Sequence, residues 1–292
     1  MKTYALFIGC NIPARVKQYE TAARAVLKEL SIGVKDFPLF NCCGYPMRNI
    51  DETAYLLSAA KNLALAENHG LDILALCKCC FGSLKIADHK LREDEKLRAD
   101  MNRQLAAHDL KYEGKTEIKH FLSVLYHDVG LNALKHSIGK SYQDLKIATH
   151  YGCHALRPSK ITGFDNPVAP VLFDELVKVT GAESVHWDQR LECCGAPLTG
   201  IQDKLSMDLM HKKLESARTA EADYICVACP WCQIQFDTVQ SIMITQHDNG
   251  PPLPSILYPQ LIGLCIGLES EVLGIQNNRL DISQITSFFK EE

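Results

Sequence analysis

Ten of the thirteen cysteines in this chain fall into one pattern, and the pattern occurs twice. The first copy reads C-x31-C-C-x33-C-x2-C, through Cys10, Cys42, Cys43, Cys77 and Cys80. The second reads C-x39-C-C-x34-C-x2-C, through Cys153, Cys193, Cys194, Cys229 and Cys232. The offsets are 143 for the leading cysteine, 151 for the adjacent pair and 152 for the last two. The neighbours repeat too. A glycine precedes Cys10 and Cys153, and CCGYP at 42–46 answers CCGAP at 193–197. Scattered buried cysteines would not keep such a register, so an internal duplication organises the chain.

The 292 residues suffice for a sizeable core without disulfide staples. With 47% hydrophobic and 23% charged residues, the composition excludes disorder, collagen and a cysteine-stapled miniprotein. A net charge of -4 argues against a nucleic-acid partner. The start, MKTYALFIGC, does not read as a secretory signal, because its apolar run at 4–8 is short and no small-residue cleavage site follows. The longest apolar run, at 261–268, falls far short of a transmembrane segment. The expected location is therefore cytoplasmic, where structural disulfides are rare and metal ligation or redox chemistry better explains the cysteines.

Short apolar runs alternate with helical patterns in both halves. In the first, 4–8 reads as a strand, 15–30 as a helix and 34–40 as a strand ending at the cysteine pair. Asn49 and Glu52 suggest a capping box for a helix that stops near Gly70. The run at 71–76 then delivers Cys77, and a helix with a charged face extends to about residue 99. In the second half, strands are expected at 146–149, around Val185 and Trp187, at 224–227 and at 256–258, with helices at 171–179 and 207–220. The implied class is α/β: two pseudo-symmetric cysteine-rich domains with mostly parallel sheets. The expected division is 1–110, a helical connection at 111–144, and 145–292 with a C-terminal extension. Sites in such sheets form beyond the carboxyl ends of strands, where each cysteine cluster falls.

Four thiolates suit structural zinc or a cubane iron–sulfur cluster. Five repeated positions exceed either requirement by one. An adjacent pair is awkward for a small tetrahedral zinc centre, whereas a larger multinuclear cluster could use both. Zinc and a dithiol switch at the two C-x2-C pairs stay open on spacing alone.

Over essentially its full length, the duplicated pattern resembles the cysteine-rich CCG domains of the heterodisulfide reductase B subunit. The stretch between the pair and the last two cysteines is a little shorter here than is usual in that family. The resemblance implies that each set of five cysteines holds a noncubane [4Fe-4S] cluster, two in all, and that these ten residues are the catalytic, cofactor-binding and metal-binding positions. It implies reduction of an organic disulfide, of the coenzyme B–coenzyme M type or a related sulfur compound, to two thiols. The two clusters would face each other across a cavity, each taking one sulfur. Electrons would come from a ferredoxin-like C subunit fed by a flavin-containing A subunit, the site of electron bifurcation, with further hydrogenase or dehydrogenase subunits behind it. No strong nucleotide fingerprint is present, since Gly181 and Gly195 make no phosphate loop, so flavin or nicotinamide is expected on a partner.

Lys78, Arg48, His154 and Arg157 adjoin motif cysteines and could balance cluster or substrate charge, although ordinary surface charge is the default reading of each. His150 reads as a core or hydrogen-bonded histidine. Trp187 and Trp231 could shield clusters or simply pack. Cys79, Cys226 and Cys265 lie outside the pattern; Cys79 adjoins a motif position as a substitute ligand or substrate-side thiol, and the other two read as small buried residues. Competing functions are an electron-transfer subunit working with quinone, fumarate, lactate or oxidised sulfur species, and a zinc-stabilised scaffold. Elemental analysis of anaerobically purified protein separates these: iron with acid-labile sulfide is expected, and about two zinc per chain without iron would exclude both redox readings.

Overall fold

The computed structural model describes residues 2–247 and 251–290. Its strands form two four-stranded sheets, parallel throughout. The first contains β1 (Thr3–Phe7), β2 (Gly33–Lys35), β3 (Asp72–Ala75) and β4 (Ile118–His120), in the order β2-β1-β3-β4. The second contains β5 (Lys146–Thr149), β6 (Glu183–Val185), β7 (Tyr224–Val227) and β8 (Ser255–Leu257), in the order β6-β5-β7-β8. The two orders coincide when the second is renumbered from one, so the cysteine repeat is a repeat of fold.

Parallel neighbours need long crossovers, and helices supply them. Lys17–Glu29 and Glu52–Glu67 follow β1 and β2; Leu172–Val179 and Asp203–Thr219 follow β5 and β6. The central strand β7 is buried at every position, as expected for a sheet covered on both faces.

The halves dock reciprocally. Tyr258–Ile266, after the last strand of the second half, packs on Lys17–Glu29 of the first. Its counterpart Phe121–Ser123, after β4, packs on Leu172–Val179 of the second. Likewise Asn11–Arg15 meets Pro230–Gln233, and Ser159–Thr162 meets Lys78–Glu93. Each contact has its mirror image, the signature of a two-fold interface, here within one chain. One continuous cluster of buried apolar residues runs through both halves.

Several local expectations differ from the fold for identifiable reasons. The strand expected at 34–40 ends at Lys35. Pro38 lacks a ladder donor, and the rings of Phe37 and Phe40 stack at 4.9 Å instead of alternating across a sheet. The Asn49–Glu52 box does not form. Asp51 is the N-cap, accepting from the Ala54 amide at 3.0 Å, while Glu52 pairs with Lys90. The helix after Cys77 breaks at Asp94, which turns extended and caps Glu95–Leu105. Within 111–144, the three residues of β4 pair with β3, a strand too short to display an alternating pattern.

Gly82 marks the seam. A Cβ there would lie 2.4 Å from the His154 carbonyl oxygen of the other half. Helix propensity alone would make Gly82→Ala stabilising by about 0.5–1 kcal/mol. The overlap should reverse the sign and destabilise by about 1–3 kcal/mol, measurable by urea unfolding. Equal or greater stability would mean that the halves do not close on this glycine.

Candidate metal centres

The backbone turns each set of cysteines inward in three steps. Gly9 and Gly152 adopt φ of 70° just before Cys10 and Cys153. A Cβ on Gly9 would come within 2.9 Å of Cys80 Sγ, so glycine is what lets this loop reach the sulfurs. Gly44 and Gly195, with φ of 82° and 88°, then fold the chain back after each adjacent pair. A side chain there would overlap backbone atoms of Tyr55 and Ser206. Finally, Cys77 and Cys229 are extended N-cap residues of Lys78–Glu93 and Pro230–Gln233. Cys80 and Cys232 lie three residues on, inside the first helical turn, so C-x2-C delivers two sulfurs to a helix N-terminus that favours negative charge.

The ten patterned cysteines line two small neighbouring cavities. Cys10, Cys42, Cys43, Cys77 and Cys80 surround the first; Cys153, Cys193, Cys194, Cys229 and Cys232 surround the second. Cys79 and Trp231 border both. Cys77 Sγ and Cys229 Sγ approach to 4.0 Å, so the two sets meet at the seam between the halves. A wider groove bounded by Arg24, Asp36 and Pro38 reaches Cys10 and Cys42 from outside.

The thiols perturb one another in parallel ways. Hydrogen bonding from Cys10, then from Cys43, pulls Cys42 down to about 2; Cys153 and Cys194 do the same to Cys193, also about 2. Their pair-mates Cys43 and Cys194 are pushed up to about 12, chiefly by sharing protons with those thiolates. Burial opposes ionisation of Cys229, yet hydrogen bonds from Cys232, Cys77 and Cys79 hold it well below the ordinary thiol range. One set cannot release all its protons without a cation to replace them.

The donor chemistry fits a metal–sulfur centre. All thirteen cysteines are free thiols. Cys232 Sγ donates to Cys194 Sγ at 3.6 Å, with no disulfide between them. Two thiolates on one tetrahedral metal with bonds of about 2.3 Å would lie about 3.8 Å apart.

The charged neighbours divide. Lys78 is buried and crosses the seam, its ammonium donating to the carbonyls of His150 and Tyr151 at 2.9 Å each. Burial pushes its pKa down. His154 contacts Cys79 Sγ at 3.1 Å through Nδ1 and packs edge-on against Tyr45, over which Arg48 stacks. Arg157 is exposed and lines neither cavity. Trp187 is buried, donating to the Thr149 carbonyl at 3.0 Å. Cys226 lies inside β7 and Cys265 donates to the Thr180 carbonyl, away from both cavities. His150, expected to be a core or hydrogen-bonded residue, is fully buried with no hydrogen-bond partner on either ring nitrogen among the described residues.

One contributor escaped the sequence reading. Lys213 lies buried over the Trp187 ring, donates to the Gln189 carbonyl, and is lowered to about 8 by burial despite the nearby Cys194 and Cys232. Its signal was a lysine on the buried stripe of Asp203–Thr219, beside Met210, Leu214 and Ala217.

Comparison with known proteins agrees with this geometry. The cysteine-rich domain model matches residues 4–85 and 147–237. The chain is 36% identical over 285 residues to the B subunit of the Ferredoxin/F(420)H(2)-dependent CoB-CoM heterodisulfide reductase of Methanosarcina acetivorans, covering 96% of this chain and 94% of that one. It is 30% identical to the 8-methylmenaquinol:fumarate reductase membrane anchor subunit of Wolinella succinogenes, covering 97% and 99% respectively. A crystal structure of a hypothetical protein from Helicobacter pylori shares the fold, with a TM-score of 0.77 and 16% identity over 97% of this chain and 52% of that one. The chain therefore belongs to the family of heterodisulfide reductase B subunits, with two cysteine-rich CCG domains.

Proposed function

We propose that this chain is the catalytic iron–sulfur subunit of a heterodisulfide reductase-type complex. The overall reaction is RS–SR′ + 2e⁻ + 2H⁺ → RSH + R′SH. The observation that carries the reading is the meeting of two complete five-cysteine sets at Cys77 and Cys229, 4.0 Å apart. Disulfide cleavage needs two electrons at one place, and two adjacent one-electron centres meet that need without a flavin in this chain.

Cys10, Cys42, Cys43, Cys77 and Cys80 would hold one noncubane [4Fe-4S] cluster, and Cys153, Cys193, Cys194, Cys229 and Cys232 the other. When bound, such clusters supply single electrons and a Lewis-acidic iron that stabilises a developing thiolate. The chain's own residues do the rest. Arg48, fixed over Tyr45, offers a cation to an anionic disulfide. Trp231, between the cavities, keeps the seam apolar. Lys78 fastens the helix of one C-x2-C pair to the opposite half and keeps the sets in register.

The expected electron donors are a ferredoxin-like protein and, behind it, a flavoprotein. The full-length similarity to the Methanosarcina protein supports a coenzyme B–coenzyme M type of substrate. Similarity of equal extent to the Wolinella fumarate reductase protein supports a second reading, electron transfer within a quinol-linked complex. No described helix is long and apolar enough to cross a membrane.

Cys80→Ser and Cys232→Ser, made separately, should each cut disulfide reduction with an artificial one-electron donor by more than about 100-fold, beyond what loss of a supporting contact costs. Each should also remove roughly half of the iron. Retained activity in either variant would contradict joint use of the two centres. Iron-loaded wild-type protein that accepts electrons but cleaves no disulfide would favour the electron-transfer reading. A third substitution tests the seam. Lys78→Met would leave two buried carbonyls without their donor and should destabilise by about 1–3 kcal/mol in urea unfolding.

A further inference from the structure

The two halves match cysteine for cysteine, but one pair of equivalent residues differs sharply in chemistry. His150 precedes Cys153 by three residues, and Phe7 precedes Cys10 by three. Phe7 ends β1 and His150 directly follows Thr149, the last residue of β5, and each lies beneath the glycine before the leading cysteine. A Cβ on Gly152 would lie 3.4 Å from His150 Nε2, and one on Gly9 would lie 3.9 Å from the Phe7 ring. Phe7 leans on Phe40, with ring centroids 5.2 Å apart. His150 lines the second cavity.

The surroundings of His150 bury it without giving it a polar partner. It has no exposed surface. The ring of Phe236 stands edge-on to it at 5.2 Å and Trp187 flanks it at 6.3 Å, fixing its plane without offering a hydrogen bond. Both ring nitrogens lack partners among the described residues. A buried imidazole without partners is costly, and such groups are rare unless a ligand satisfies them. The nearby sulfurs supply the direction. An imidazole nitrogen, Cys194 Sγ and Cys232 Sγ all lie within 4.8 Å of one another.

We infer that His150 makes a direct nitrogen contact to the metal–sulfur core of the second centre, a contact the first centre lacks. This rests on the iron–sulfur reading of the second cavity and adds to it a sixth, non-cysteine partner. Two centres built on one cysteine pattern thereby become electronically unequal. The neutral imidazole offers one N–H and one lone pair, and either places nitrogen against the core.

The test is nitrogen hyperfine spectroscopy on holoprotein carrying ¹⁵N-labelled histidine, poised where the second centre is paramagnetic, with iron content measured on the same sample. A histidine nitrogen coupling is expected in the wild type. It should disappear in His150→Phe and in His150→Gln, and persist in His154→Gln. The midpoint potential of the second centre should shift in both His150 variants while that of the first stays in place. Iron-loaded protein with no histidine coupling, or a coupling lost only in His154→Gln, would overturn the inference and leave the iron–sulfur reading standing. Protein that takes up no iron would overturn both. If the His150 variants fail to fold, the wild-type coupling together with its persistence in His154→Gln decides the matter.

Discussion

Everything in this fold serves the crowding of sulfur at one seam. Ten thiols line two adjoining cavities, and the nearest members of the two sets stand 4.0 Å apart. Ionised together without a cation, they would repel strongly in a poorly solvated interior. The protein holds them with parallel sheets, whose strands all release their chains at the same edge. Each sheet contributes three such exits, and the reciprocal docking of the halves turns the two edges toward each other. Glycines with positive φ at 9, 44, 152 and 195 complete the approach.

Symmetry supplies the frame, and a few equivalent positions depart from it at the seam. Lys78 and Cys79 correspond to Pro230 and Trp231 across the 152-residue offset. One half thus sends a buried ammonium across the seam, where the other has a proline that starts its helix. Cys79 and Trp231, a thiol and an indole, each border both cavities. The pair Phe7 and His150 extends the same logic to the walls of the two centres. A symmetric pair of cavities would present identical walls; this pair does not.

Much of this was legible in the cysteine pattern, because the adjacent pair, its following glycine and the C-x2-C recur in the same order in both halves. Strands at 146–149 and 224–227 were equally plain, since a doubly covered strand is a short apolar run between polar flanks. The failures came where a local rule met a competitor. Pro38 ended a strand that apolar content alone would extend, and Asp51 and Asp94 took caps assigned elsewhere or not foreseen. Strand β4, only three residues long, carried no period to detect. His150 had been read as a core or hydrogen-bonded histidine and Lys213 sat on a buried stripe, but burial of Lys78 was illegible for a different reason. A lone polar residue looks the same in sequence whether water or a second domain covers it.

The central claim is that two metal–sulfur centres share this seam. Iron-edge anomalous diffraction from anaerobically grown crystals of the holoprotein tests it most directly. Two separate iron peaks are predicted, one in each cavity, with Cys77 and Cys229 on the border between them. Iron in only one cavity, or in neither, would contradict the account.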